Sequence, residues 1–437
     1  MALSIFLFFS YLAPLSSPLV ARGTTNFRPA SLALSLEATR RTRVYTTPKR
    51  SAKILGAVLK GTRFPLYKYF SKTRCPGGGH FVQLGKNTFG CSKHFTLSLK
   101  FPGGSSWPLL PPGRLVHREF MKVLQTNTPA FATSKDLLAR RPARIMQPNA
   151  WIAYRRNFRT MSGNLYMLNE EGLMVPYDHL DKRPPSSFAG IKLTEEPPYV
   201  IALVTSFRGA TLWKSPLHST AGKKAWRSRI HLKTKALKII GTRRFFRTLA
   251  GLWVEESDIR RFLLSSPPPY LTGTSERWME VNLTEQTLVA YEGRTPRFMT
   301  LVSAARKGFK TPLGAFRIFF KRSTQTLGFR KGKHWSHLFE DVPWVQFFKG
   351  TLALHTSYWH DLFGNPYSMG CIELSPKDSA FLFAWTTPTL PRGFLSISQT
   401  DESVGTLLRI VKYPNQGVNY RARSRYLKKK SNHLAPQ

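Results

Sequence analysis

Between His355 and Ser375 the chain reads HTSYWHDLFGNPYSMGCIELS, which sets two histidines, an aspartate and a cysteine beside the hydroxyls of Thr356, Ser357 and Ser368. Three kinds of chemistry are open to such a window. A thiol within hydrogen-bond reach of an imidazole can pass its proton to that base and attack as a nucleophile near neutral pH, although an isolated thiol titrates at about 8.5. A metal set would draw on His355, His360, Asp361 and Cys371, but the spacing matches neither H-E-x-x-H nor C-x-x-C, so no metal is expected and His360 and Asp361 read as a hydrogen-bonded loop pair. A small, inert, buried thiol is the third option, since a lone cysteine and a histidine in one region are commonly structural.

The elements around the window limit what it can do. WVQFFKGTLALH reads as a strand ending at His355, and SPKDSAFLFAW as a helix with Ser375 as N-cap and Asp378 at the third helical position. Cys371 then lies between a strand end and a helix start, where unpaired backbone amides and the helix dipole favour a thiolate. Upstream, WMEVNL, TEQT, LVAYEG and RFMTLVSA give strand–turn–strand signals, with Val281, Leu283, Val289 and Tyr291 available for one buried face. The polar, basic stretch from Arg322 to Asp341 reads as a lid over the site.

TPLGAF, a strand ending LALH, and SMGCIELS together resemble the signature of the L,D-transpeptidase catalytic domain, a His followed at short distance by Ser/Thr-x-Gly-Cys. The resemblance covers roughly Trp278 to Ser396 and is similar to the bacterial branch in which small SH3-like modules precede this domain. It implies a mainly β, sandwich-like catalytic domain with short helices and a cysteine acyltransferase that needs no cofactor. Cys371 is the implied nucleophile toward a peptidoglycan stem peptide, and His355 the base, oriented by a carbonyl or hydroxyl near Thr356. The amides of Gly370 and Cys371 would face the oxyanion and Ser368 would hydrogen-bond within the site. Met369, Trp359 and Tyr358 are candidate substrate contacts. Met369 and Glu373 stand where the family often carries a basic residue and Asn or Arg. A carboxylate at 373 raises the thiol's pKa unless it is paired, with the chain's many Lys and Arg as expected partners. An inactive, peptidoglycan-binding relative of the same fold is therefore the alternative.

The 437 residues suffice for two or three domains, and 66 Lys+Arg against 23 Asp+Glu give a formal net charge of +43. An anionic partner is expected: wall polymers or outer-membrane headgroups under the reading above. Nucleic acid is a second alternative, resting on charge and interleaved aromatics without a binding motif, and it is not expected. Residues 1–22 read as a secretory signal, which implies the periplasm or cell envelope. In an exported chain Cys75 and Cys91 are the expected disulfide, with Cys371 left over; three reduced, buried thiols are the alternative. The remaining organisation is read as an SH3-like β module at 40–100, a Pro/Arg-rich region at 101–198 with some helical pattern from Val116 to Leu124, and a candidate second SH3-like module at 199–264. The catalytic domain spans 275–400 and a basic tail 401–437.

Overall fold

Apolar residues in consecutive positions require a sheet covered on both faces, and this is what stands at the centre of the molecule. The computed structural model describes residues 34–413, apart from 68, 77, 107, 109, 270, 272–274 and 332–333; the signal segment 1–22 and tail residues 414–437 lie outside the described residues. Arg277–Asn282, Thr287–Glu292 and Thr295–Leu301 form an antiparallel meander in a six-stranded sheet completed by Ile191–Lys192, Leu407–Val411 and Gly314–Arg317. Val281 pairs with Leu288 and Glu280 with Val289, so the four apolar residues expected on one face divide between two. Val281 and Leu283 join Met279, Leu288, Ile372 and Leu382. Val289 and Tyr291 meet Ile201, Leu203 and Phe262 of the preceding module.

The second layer carries the site. β1 (Phe320–Lys331) and β2 (His334–Lys349) form a long antiparallel hairpin; β2 also pairs with β3 (Leu352–Thr356), and β3 pairs in parallel with β4 (Ile372–Leu374). Two expectations are corrected here. WVQFFKGTLALH does not continue as one strand: Gly350, at φ +52°, supplies the left-handed residue that turns β2 into β3. Arg322 to Asp341 is not a lid but part of the hairpin, its polar residues interleaved with Leu327, Leu338 and Phe339, which pack against residues of the 101–198 region. There Trp151 pairs with Phe339, and buried Glu340 accepts the Ala153 amide at 3.0 Å and the Asn169 side-chain amide at 2.6 Å.

Helix α1 (Pro376–Trp385) follows β4, and Ser375 Oγ accepts the Asp378 amide at 3.2 Å as an N-cap. The helical pattern read from Val116 to Leu124 gives way to a strand, Glu119–Val123. Phe120 stacks on Tyr358 while Met121 and Val123 enter the region's own core, so burial on both faces produced the helix-like spacing.

The front residues, from Ser35–Ala38 to Phe95–Ser98, form short strands joined by a Cys75–Cys91 disulfide with Cα atoms 5.7 Å apart. Their strand Ile54–Val58 pairs with Phe394–Ser398, which follows α1. A Cβ on Gly56 would lie 2.0 Å from the Ser396 carbonyl oxygen, so this seam requires glycine. Residues 200–261 form a seven-stranded sheet. The fold as a whole is mainly β with few helices, as the sequence predicts. Among the described residues no helix is long and apolar enough to cross a membrane.

Candidate active site

The β3–β4 ladder places the two side chains that the sequence puts forward as a reactive pair. Leu354 pairs with Ile372 and His355 with Glu373, and side-chain alternation then puts Cys371, Glu373, Ala353 and His355 on one face. His355 is buried, and its Nδ1 donates to the Thr356 carbonyl at 2.9 Å. That bond leaves the lone pair of the neutral ring on Nε2. Burial lowers the imidazole's pKa below its usual value, and the Glu373 charge partly opposes this.

Cys371 is partly exposed at its residue surface, yet its thiol is pushed up to about 11 by burial, with the Ala353 amide opposing and the Glu373 charge adding to the rise. The resting pair is therefore a neutral thiol and a neutral imidazole. The expected help from the helix does not prevail, because α1 begins five residues later and its first turn is already capped by Ser375.

The loop before Cys371 is tied from two sides. Ser368 Oγ donates to the Cys371 carbonyl at 2.6 Å and accepts the Gly370 amide at 3.2 Å, so that amide is turned to Ser368 and not to an oxyanion. Thr311, from the TPLG motif, donates to the Gly370 carbonyl at 2.8 Å. Gly370 has φ +119°, and a Cβ there would lie 2.9 Å from the Lys310 carbonyl. The two motifs of the sequence thus meet at Gly370.

Of the expected substrate contacts, Met369 is half-buried beside this loop, and Trp359 is half-buried, stacked on Phe339 at 4.0 Å and 5.9 Å from the His355 ring. Tyr358 is 2% exposed, stacked on Phe120 at 3.6 Å, and its hydroxyl donates to the Glu340 carbonyl at 2.7 Å. It belongs inside the wall and not at the cleft surface.

Glu373 is paired, but with a histidine instead of Lys or Arg: His360 Nε2 lies 2.7 Å from Glu373 Oε2. The Leu362 amide donates to His360 Nδ1 at 3.1 Å, so Nε2 carries the proton of a neutral ring. Asp361 is not the partner of His360. Its carboxylate accepts from Ser186 Oγ at 2.7 Å and from Arg227 at 3.1 Å. Arg227 also donates to the carbonyls of Phe363 (2.7 Å) and Asp361 (3.0 Å), and Arg260 to that of Gly364 (2.8 Å). None of Ser186, Arg227 and Arg260 was singled out from the sequence, because each acts over more than a hundred residues and no local spacing marks it.

Fold and site define a mainly β domain with a histidine on one strand and a cysteine immediately before the parallel strand beside it. Residues 276–410 match the YkuD family, the L,D-transpeptidase catalytic domain, so the resemblance carried by the motifs is borne out over those residues. The match does not extend to the front modules. Among solved structures, the L,D-transpeptidase of Stackebrandtia nassauensis is 25% identical, covering 33% of this chain and 60% of its own, with a TM-score of 0.24. That of Xylanimonas cellulosilytica is 21% identical, covering 33% of this chain and 65% of its own, TM-score 0.24. The catalytic domain of the E. faecium L,D-transpeptidase is 20% identical, covering 31% and 98%, TM-score 0.24. The chain thus spans less than two thirds of the length of the first two. No curated protein matches it.

Proposed function

We propose that the protein is an exported peptidoglycan L,D-transpeptidase acting in the periplasm or cell envelope. The observation that supports this reading is the shared ladder: His355 lies on β3, Cys371 immediately precedes its parallel neighbour β4, and the Thr356 carbonyl holds the imidazole with Nε2 as its basic nitrogen. Cys371 Sγ attacks the carbonyl of a stem peptide while its proton passes to His355 Nε2. The carbon–nitrogen bond breaks as that proton reaches the departing amine. An amine of a second stem then attacks the thioester, gives its proton to His355, and releases Cys371 as a thiol. The amide of Cys371 stabilises the oxyanion, joined by that of Gly370 once Ser368 releases it.

The charge supports an anionic partner such as a wall polymer or a headgroup surface. From Pro197 to Val254 the sequence holds twelve Lys or Arg and no Asp or Glu. A second reading, a peptidoglycan-binding relative without chemistry, is favoured by the high thiol pKa and the engaged Gly370 amide. Intact mass after incubation with a carbapenem, beside Cys371→Ala, decides between them. A gain of one drug mass that the variant lacks is expected; a folded protein with no adduct sinks the enzymatic reading.

A further inference from the structure

The module at 199–264 contributes more than an adjoining surface. Its Arg227 and Arg260 together take the carbonyls of Asp361, Phe363 and Gly364, three of four successive residues in the loop between β3 and β4. Phe363 is fully buried among Ile201, Leu203 and Phe262. Gly364, at φ +94°, sits so close to the module that a Cβ would lie 2.5 Å from Thr205 Cγ2. The same short loop carries His360, whose ring is oriented by the Leu362 amide and donates to Glu373.

We propose that Arg227 and Arg260 are positioning residues for the active site: by fixing residues 361–364 they hold His360 on Glu373, and so set how the Glu373 charge bears on Cys371 and His355. The inference rests on the reading of Cys371 and His355 as the reactive pair. It makes the module a part of the site's electrostatics and not merely of its stability. Among the described residues the Glu373 charge acts on both Cys371 and His355, and His360 acts on His355; the imidazole that donates to Glu373 draws part of the carboxylate's charge toward itself. A loosened loop removes that donor, and the carboxylate then acts on the thiol with its full charge.

The test is the pH dependence of Cys371 alkylation by iodoacetamide, followed by mass on the full chain under conditions that keep the disulfide intact. Arg227→Ala and Arg260→Gln are expected to move the midpoint upward by about half a unit. The same changes in a Glu373→Gln background are expected to move it no further. Should Arg227→Ala fail to fold, Arg260→Gln and Arg227→Lys read the same quantity. Folded variants whose melting temperature falls while the midpoint stays at the wild-type value would overturn the proposal, as would an equal shift with Glu373→Gln present. Alkylation does not depend on transpeptidation, so a wild-type protein without a carbapenem adduct removes the enzymatic reading and leaves this result interpretable.

Discussion

Glu373 stands directly across the β3–β4 ladder from His355 and accepts the Nε2 proton of His360 at 2.7 Å. One carboxylate therefore touches the environment of both Cys371 and His355, raising the thiol's pKa and opposing the fall of the imidazole's. Glu373→Gln removes the charge and keeps an acceptor for His360. The thiol pKa falls from its raised value, and alkylation of Cys371 at pH 8 is expected to quicken by roughly threefold or more. An unchanged rate would mean that burial alone holds the thiol up.

The acid limb of acylation reports the base. Burial depresses the pKa of His355, so the neutral ring persists to a pH below the ordinary histidine range. The rate of carbapenem acylation is expected to hold as pH falls through 6.5 and to decline only below it, as Nε2 takes a proton. A limb centred above that value would place a different group, or a differently charged site, in control.

Glu340 predicts a pH dependence of stability away from the chemistry. Burial raises its pKa to about 8, against an ordinary 4.5. The folded state therefore binds a proton that the unfolded chain releases. The contribution is complete below the unfolded pKa and is lost as pH rises through the folded one. Stability against thermal unfolding is expected to fall between about pH 5 and pH 8.5 by up to a few kcal/mol, and Glu340→Gln to flatten that slope. An equal slope in the variant would assign it to other groups.

The residues of the proposed reactive pair were legible in the sequence because they are local. His355 and the S-x-G-C run lie within one window, and the cap at Ser375 reads from a few adjacent residues. The supports were not. Thr311 meets Gly370 and Arg227 meets Phe363 through tertiary packing that no periodicity encodes. Patterns that assume one solvent face also misled, since Val281 and Val289 lie on opposite faces of a doubly covered sheet, and Phe120 and Met121 do so in a short strand.

The seam at Gly56 tests whether the front strands are joined to the region 276–410 or merely adjacent to it. Ile54–Val58 pairs with Phe394–Ser398 from Gly56↔Ile397 to Val58↔Phe394, and Phe394 also lies in the front module's core. With the Ser396 carbonyl oxygen 2.0 Å from a Cβ at residue 56, Gly56→Ala must push the strands apart or break the ladder. Because the obstacle is backbone, no side-chain rotation relieves it, and the cost falls in the range of about 1–3 kcal/mol seen for overpacking. The expected result is a lower melting temperature and faster proteolysis at the loop residues 99–106, with the Cys75–Cys91 disulfide still formed because it lies within the front strands. A variant as stable and as resistant as the wild type would show that the front strands dock loosely and that the continuous sheet is dispensable.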